Sequence, residues 1–160
     1  MSKLRAAGYV KLAKLWEKSK DKVIEVTSRY FVERYANDEN ISVQGIYIDI
    51  TGNKNIYRRP EMVHLLRDCS MGQIDVICVQ TRAYLAANTE ELFFLLNYLF
   101  ELEYRVDIKT DDNDRRIDTL LNSENQRTLL RNTAVQYVNI KKDEYKTWLG
   151  KLEKAMDKIK

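Results

Sequence analysis

Short apolar runs alternate with longer amphipathic stretches over the first two thirds of the chain. The runs are rich in β-branched, aliphatic and aromatic residues, which is typical of strands; they cover 8–13, 42–50, 74–80 and 104–109. Between them, apolar residues recur mostly at steps of three and four. This spacing predicts helices over 16–36, 60–70 and 88–103. Strands that alternate with helices predict a parallel sheet with helices packed against it.

Turn and cap residues mark the predicted boundaries. Pro60 stands where a helix begins, a position at which its missing N–H group costs nothing, and Gly72 follows the end of that helix. Asn88 is a typical N-cap, and Glu91 three residues later completes a capping-box pattern. The run 74–80 is apolar almost throughout, which favours a central strand covered on both faces.

The pattern changes after residue 110. A polar connection, 111–116, leads into a predicted helix over 117–135, and a second helix over 143–160 carries one apolar stripe. Such a stripe must be buried, either against its own domain or against a partner helix. Its residues are our candidates for a dimer or partner interface: Tyr145, Trp148, Leu149, Leu152, Met156 and Ile159. We expect an α/β domain over 1–110 and a helical extension over 111–160.

Positive charge is concentrated at the two ends of the chain, although the net charge is only +3. Residues 1–35 hold nine lysines and arginines against four carboxylates, and residues 141–160 hold seven against four. Basic ends can meet an anionic partner, and solvated helix faces are the alternative interpretation. No block is as basic as a dedicated DNA-binding arm.

Several function classes lack support in the sequence. No apolar run approaches the roughly 20 residues of a membrane span, and the start lacks the apolar stretch of a secretory signal. Cys69 and Cys78 have no metal-ligand spacing, so we interpret them as reduced core thiols of a cytoplasmic protein. His64 fits a helix surface better than a catalytic or metal-binding role. We expect no cofactor, no metal, no membrane contact and no small-molecule substrate.

Four stretches together resemble the catalytic domain of the serine site-specific recombinases, the resolvase/invertase family. They are "YVKLA" (9–13), "VIEVT" (23–27), "GIYIDITGNKNIYRRPEMVHLLRD" (45–68) and "GQIDVICV" (72–79). The resemblance covers about residues 9 to 110 and is most specific between 45 and 79. It implies a resolvase-like α/β fold of three layers. A mainly parallel sheet of four or five strands would lie between helices, with C-terminal helices after it. Family members carry a DNA-binding module after this domain, but residues 111–160 show no helix-turn-helix signature, so we expect no separate DNA-binding domain.

The resemblance also shows which site residues differ. In the family, a serine at the end of the first strand attacks a DNA phosphodiester, and arginines stabilise the charge that develops on the phosphate. Here Ala13 occupies that corner, and Lys11 replaces an arginine. "AYLAAN" (83–88) stands where the family has Asp-Arg-Leu-Ser-Arg-Asn. The positions that differ are Lys11, Ala13, Thr27, Ala83, Tyr84 and Ala87, and Arg59 is retained.

From these differences we predict that the chain is not an enzyme. It would be a catalytically inactive resolvase-like protein, a binding or regulatory module in DNA recombination or mobile-element biology. It would act as a homodimer or with a related recombinase or other protein, in a bacterial or phage cytoplasm. The alternatives are a DNA-binding accessory protein that uses its basic ends, and an active recombinase. Our candidates for weak phosphate binding are Lys11, Lys14, Arg58 and Arg59.

Overall fold

One parallel sheet organises the fold. The computed structural model describes residues 3–120 and 123–159, and within them the sheet has four strands in the order β2-β1-β3-β4. The strands are β1 (Leu4–Leu12), β2 (Ile41–Ile50), β3 (Val76–Val79) and β4 (Asp107–Thr110). Every neighbouring pair is parallel. The α/β prediction is confirmed, and the sequence placed each strand within a few residues of its position.

Helices connect the strands and follow the last one. They are α1 (Lys20–Arg34), α2 (Pro60–Ser70), α3 (Thr89–Glu101), α4 (Glu124–Ile140) and α5 (Lys142–Asp157). Three 3-10 turns lie at Lys14–Ser19, Ile56–Arg58 and Arg82–Tyr84. We call the first of these the Trp16 segment. None of the helices in the described part of the chain is both long enough and apolar enough to cross a bilayer.

The two faces of the sheet are covered unequally. On one face, Phe31 of α1 and Tyr35, which follows the helix, pack against Val10 and Cys78. Gly8 permits this contact, since a Cβ atom there would lie 2.8 Å from the Phe31 ring. The other face carries the larger core, to which α2, α3, α4 and α5 all contribute. β3 is covered on both faces of the sheet. All four of its residues are buried, as its apolar run predicted.

Residues 117–120 close the free edge of β4 in place of a fifth strand. The amide of Thr119 donates to the carbonyl of Ile108 (3.0 Å), and the Thr119 hydroxyl accepts from the Ile108 amide (2.9 Å). The Asp118 carboxylate accepts from the amide of Thr110 (3.0 Å). The predicted helix over 117–135 is wrong in its first part, because these residues satisfy the edge of β4 instead. The helix begins at Glu124, where Ser123 and Gln126 form a capping box.

The cap predictions hold at α2 and α3, with one difference. Asn88 accepts from the amide of Glu91 (2.9 Å), and Gly72 ends the α2 region with a positive φ of 76°. However, the Glu91 carboxylate does not complete a capping box. It is buried, and it accepts from the Ile56 amide (2.8 Å) and from the Trp148 indole N–H (3.0 Å). Glu91 therefore joins α3 to the turn before α2 and to α5.

α5 folds back onto the α/β core of the same chain. Trp148 and Leu152 are buried, and Tyr145 packs with Phe94 of α3, their ring centroids 5.4 Å apart. At the end of the helix, the Arg67 guanidinium donates to the carbonyl of Ile159 (3.0 Å). The apolar stripe is thus buried against its own domain. The extension over 111–160 contributes to the same core as the predicted α/β domain.

Candidate functional site

The carboxyl ends of the four strands form one edge of the molecule, and the candidate residues gather there. β1 and β2 end side by side, with Lys11 opposite Asp49 in the register. The loop after β3 lies next to β1, since Tyr9 is opposite Val79. In parallel α/β sheets this edge is the usual place for a ligand. We call it the C-terminal edge.

A buried network of three polar side chains supports this edge. Arg59 is only 1% exposed. Its guanidinium donates to the carbonyls of Tyr84 (2.7 Å) and Leu85 (2.5 Å), and to the Tyr9 hydroxyl (3.3 Å). The Tyr9 hydroxyl in turn donates to the Asp49 carboxylate (2.7 Å). Tyr9 therefore links the buried positive charge of Arg59 to the negative charge of Asp49.

Asp49 also fixes the beginning of α2. Its two carboxylate oxygens accept from the backbone amides of Glu61 and Met62, at 2.9 Å each. These amides belong to the first turn of the helix, which has no internal acceptors for them. β2 and α2 are thereby joined at the C-terminal edge. The sequence signal for this role is an aspartate inside the apolar run "GIYIDI".

The pKa values at the edge reflect burial and excess positive charge. Burial raises the pKa of Tyr9 far above its ordinary value of 10.0, with Asp49 adding to the shift and Arg59 opposing it. Tyr9 is therefore a protonated hydrogen-bond donor at neutral pH. The pKa of Lys11 is lowered, first by partial burial and then by Arg59, with Lys54 adding to the effect and Asp49 opposing it. A bound anion beside Lys11 would relieve this repulsion.

The remaining positions that differ from the recombinase pattern lie in three different parts of the fold. Ala13 is exposed in extended backbone directly after β1. Ala83 and Tyr84 lie in the 3-10 turn after β3, and Ala87 follows it. The backbone of that turn, rather than its side chains, binds Arg59. Thr27 lies two turns into α1 and is partly buried.

The predicted phosphate ligands differ in their accessibility. Lys14 and Arg58 are exposed, and Lys11 is partly exposed. Arg58 lines a cleft of about 590 Å³ together with Lys20 and Thr51. Arg59, by contrast, is buried, and its two terminal guanidinium nitrogens donate to protein oxygens, while its Nε has no hydrogen-bond partner. Phosphate binding by Arg59 stays a prediction. It would require the guanidinium to break its hydrogen bonds to the carbonyls of the turn after β3.

A second cavity, of about 680 Å³, lies at the same edge beyond β3 and β4. Its lining includes Leu92 and Phe93, and three arginines with two aspartates: Arg82, Arg115, Arg116, Asp112 and Asp114. Arg116 is paired with Asp114 (2.9 Å). We did not predict these arginines as site residues, because they precede or follow strands whose exact ends the sequence left open. They extend the supply of positive charge along the C-terminal edge.

The interface candidates of the α5 stripe are buried or partly buried against their own domain. Tyr145, Trp148 and Leu152 are buried, and the other three stripe residues pack against the same core: Leu149, Met156 and Ile159. A partner could reach Leu149, Met156 and Ile159, which are partly exposed, but not the three buried stripe residues unless α5 moved; the interface on this stripe stays a prediction. Among residues 3–120 and 123–159, no group of three or more histidine, cysteine or acidic side chains is placed to hold a metal ion.

Comparison with known proteins identifies the family. A family model described as the resolvase N-terminal domain matches residues 18–144. The chain belongs to that family. No curated protein matches the sequence of this resolvase-family chain.

Three solved structures share the fold of this resolvase-family domain. The N-terminal catalytic domain of TP901-1 integrase has 20% identity and a TM-score of 0.57, and the match covers 88% of this chain and 97% of that one. A resolvase family site-specific recombinase from Streptococcus pneumoniae has 17% identity and a TM-score of 0.57, over 96% and 99% of the two chains. The C-terminal catalytic domain of ISC1926 TnpA, an IS607-like serine recombinase, has 12% identity and a TM-score of 0.50, over 81% and 96%.

These comparisons correct our prediction that the chain is not an enzyme. We based that prediction on side-chain differences at Ala13 and in the turn after β3. The resolvase family match and the similar structures, two of them described as catalytic domains, point to an enzyme instead. Side-chain differences at a few positions were not sufficient to assign the chain to a non-enzymatic class.

Proposed function

We propose that this resolvase-family domain works in DNA recombination by binding the DNA backbone along its C-terminal edge, in an assembly with a second recombinase chain. The observation that carries the proposal is Lys11. It lies partly buried beside Arg59 and Lys54, and its pKa is lowered by burial and by these like charges. Such a site gains most from a ligand that brings negative charge.

The charges around Lys11 fit a phosphate backbone better than a small anion. Lys14 follows Ala13 on the exposed surface, and Arg58 and Lys20 line the same cleft. Arg82 extends the positive charge to the loop after β3. Cations spread along an edge contact successive phosphates, and this gives a sequence-independent affinity that falls steeply with salt.

The Arg59–Tyr9–Asp49 network has a supporting part in this proposal. It holds the turn after β3 against the start of α2, so the exposed cations on both sides keep a fixed spacing. Ala13 has no hydroxyl, so a covalent link between the protein and DNA would have to use an oxygen of another residue. The neighbours described as recombinases are the reason to place the bound DNA in a recombination reaction.

The exposed face of α4 supports the second part of the proposal, assembly with another chain. Only Ala134 and Val138 of this helix are buried. Leu129, Val135 and Ile140 are exposed on it. Large apolar side chains exposed along one helix favour contact with another protein surface. Either a second copy of this chain or a related recombinase would have a chemically suitable surface.

The test is fluorescence anisotropy with a labelled DNA duplex at low and near-physiological salt. Lys11→Gln and Arg58→Gln should each weaken binding several-fold and reduce the slope of log affinity against log salt by about one. Lys3→Gln is a matched control, because Lys3 is exposed just before β1, at the opposite edge of the sheet. Its effect should be smaller than that of either edge variant.

Two results would overturn the proposal. One is a wild-type protein that does not bind DNA even at low salt. The other is a Lys3→Gln effect as large as the effects at Lys11 and Arg58, since this would show diffuse attraction rather than an edge. If DNA incubation yields a covalent adduct on a denaturing gel, peptide mapping of the adduct would identify the linked residue. Sedimentation of the DNA complex tests the assembly: the wild-type protein is compared with Ile140→Glu, which changes the exposed face of α4.

A further inference from the structure

The Trp16 segment carries two large apolar side chains that the fold does not bury. None of its six residues is buried, and Leu15 is 74% and Trp16 46% exposed. The segment is nevertheless ordered, because the Trp16 amide donates to the carbonyl of Ala13 (3.0 Å). Single exposed apolar residues are common. Two adjacent ones in an ordered turn that adds nothing to the core require a separate explanation.

The charges around these side chains indicate the kind of ligand. Residues 11 to 22 contain five lysines and two carboxylates. Lys14 directly precedes the apolar pair, and Glu17 and Lys18 follow it; all three are exposed. Excess positive charge selects a polyanion, whereas an exposed indole selects a flat aromatic surface. A nucleic acid offers both, as phosphates and nucleobases.

The position of the segment connects it to the C-terminal edge. Ala13, whose carbonyl binds the Trp16 amide, directly follows β1. Glu17 and Lys20 line the same cleft as Arg58. Trp16 is therefore next in the chain to a residue of the cleft that Arg58 lines, and five residues from Lys11. Glu17, Asp49 and Glu61 line this cleft as well, so the phosphates would have to follow the lysines outside it, Lys14 and Lys18.

We propose that Trp16 stacks on a nucleobase of DNA bound at the C-terminal edge, so that the domain prefers DNA with unpaired bases to fully paired duplex. This inference rests on the proposed function, because it needs DNA at that edge. In a paired duplex, neighbouring base pairs cover both faces of each base. An indole reaches a base face only where pairing and stacking are open.

The experiment compares two DNAs of equal length, one fully paired and one with a central run of unpaired bases. Wild-type protein should bind the DNA with unpaired bases about tenfold more tightly, the size of effect that one base–aromatic stack provides. Trp16→Ala should lose this preference and keep its affinity for paired DNA. Trp16→Phe should keep most of the preference because it retains a ring. Trp16 lies in a turn without buried residues, so both variants should fold, and thermal melting checks this.

Tryptophan fluorescence gives a second readout. The chain has two tryptophans, and Trp148 is buried with its indole N–H bound to Glu91. DNA with unpaired bases should quench the emission of the wild-type protein. It should leave the emission of Trp16→Phe unchanged, because that variant emits from Trp148 alone.

The possible outcomes distinguish this inference from the proposed function. If both DNAs bind equally and emission does not change, Trp16 does not stack, while DNA binding at the edge stands. If neither DNA binds, the proposed function fails and this inference fails with it. If emission changes with protein concentration in the absence of DNA, a second copy of the chain covers Trp16, and the stacking proposal is overturned.

Discussion

The Trp16 segment and α5 are built from similar residues but have opposite environments. "KLWEKSK" (14–20) and "KTWLGKLEK" (146–154) each combine one tryptophan, leucine and several lysines with a glutamate. Trp16 is 46% exposed, whereas Trp148 is 6% exposed. The difference shows that composition alone does not decide whether an apolar side chain belongs to the core.

Length and periodicity account for the difference. In α5 the apolar residues recur over the whole helix, so Tyr145, Trp148 and Leu152 share one face and are buried together. The Trp16 segment is a six-residue 3-10 turn, too short for a repeated face. Its tryptophan is therefore free to contact a ligand, while Trp148 is held in the core.

The largest expected effect is the loss of Trp148. Trp148→Ala removes a buried ring that packs on Phe94 and Tyr145, with centroids 5.8 Å away in each case. We expect it to lower the free energy of unfolding by about 3–5 kcal/mol. Trp16→Ala should change it by less than about 0.5 kcal/mol. Urea denaturation followed by circular dichroism measures both, and equal losses would show that the Trp16 segment is packed in solution.

A smaller loss is expected when the buried acceptor between α3 and α5 is removed. Glu91→Ala leaves the Ile56 amide and the Trp148 indole N–H without their acceptor. Buried donors without partners should cost about 2 kcal/mol. Glu91→Gln is the matched control, because its amide oxygen can take the place of the carboxylate oxygen that accepts both bonds. It should cost less than about 1 kcal/mol.

Hydrogen exchange separates this local effect from general destabilisation. The Ile56 amide should exchange faster in Glu91→Ala than the other slow amides do, and it should stay protected in Glu91→Gln. Uniform acceleration of all amides in Glu91→Ala would contradict a specific link between α3, α5 and the turn at Ile56.

The sequence predicted the elements well because their patterns are local. Alternation of apolar runs with amphipathic stretches was sufficient for four strands and their order along the chain. Residues 117–120 were assigned to a helix because their role is not local: Thr119 and Asp118 bind the backbone of β4. Glu91 shows the same limit. Its spacing from Asn88 predicted a capping box, but its carboxylate binds α5, more than fifty residues away in the chain.

The resemblance indicated where the candidate residues lie in the fold, and their role as a site stays a prediction. The resemblance placed Lys11, Ala13 and Arg59 near one another, and the structure has them at the same edge. It gave no indication that Arg59 would be buried, since burial depends on the turn after β3 and on Tyr9. Differences at single positions were also not enough to decide whether the chain is an enzyme, and the family match corrected that prediction.

A change within the Arg59 network should have an intermediate effect. Tyr9→Phe removes the hydroxyl that lies between Arg59 and Asp49. The free energy of unfolding should fall by about 1–2 kcal/mol, because two hydrogen bonds to charged groups are lost and a guanidinium donor loses its acceptor. Tyr30→Phe is a suitable comparison, because Tyr30 lies on α1 outside this network. An equal effect at Tyr30 would mean that the network does not stabilise the edge.

The smallest and most local effect concerns the charge on Lys11. Its pKa is lower in the folded chain than the ordinary 10.5, so the unfolded chain holds this proton more tightly. The resulting destabilisation is complete below the folded pKa and disappears as pH rises through that value towards 10.5. The tyrosines with raised pKa values also titrate in alkaline solution, so bulk stability would not isolate the lysine. NMR of the labelled Lys11 side chain is therefore the measurement.

Two changes should raise the pKa of Lys11 by different amounts. Lys54→Gln removes a like charge and should raise it only slightly, because burial is the larger cause of the shift. Bound DNA should raise it further, because a phosphate stabilises the protonated amine directly. If DNA binds and the pKa of Lys11 does not rise, the phosphates do not lie beside Lys11. The DNA site would then have to be sought along the arginines beyond β3, where Arg82 and Arg116 line the second cavity.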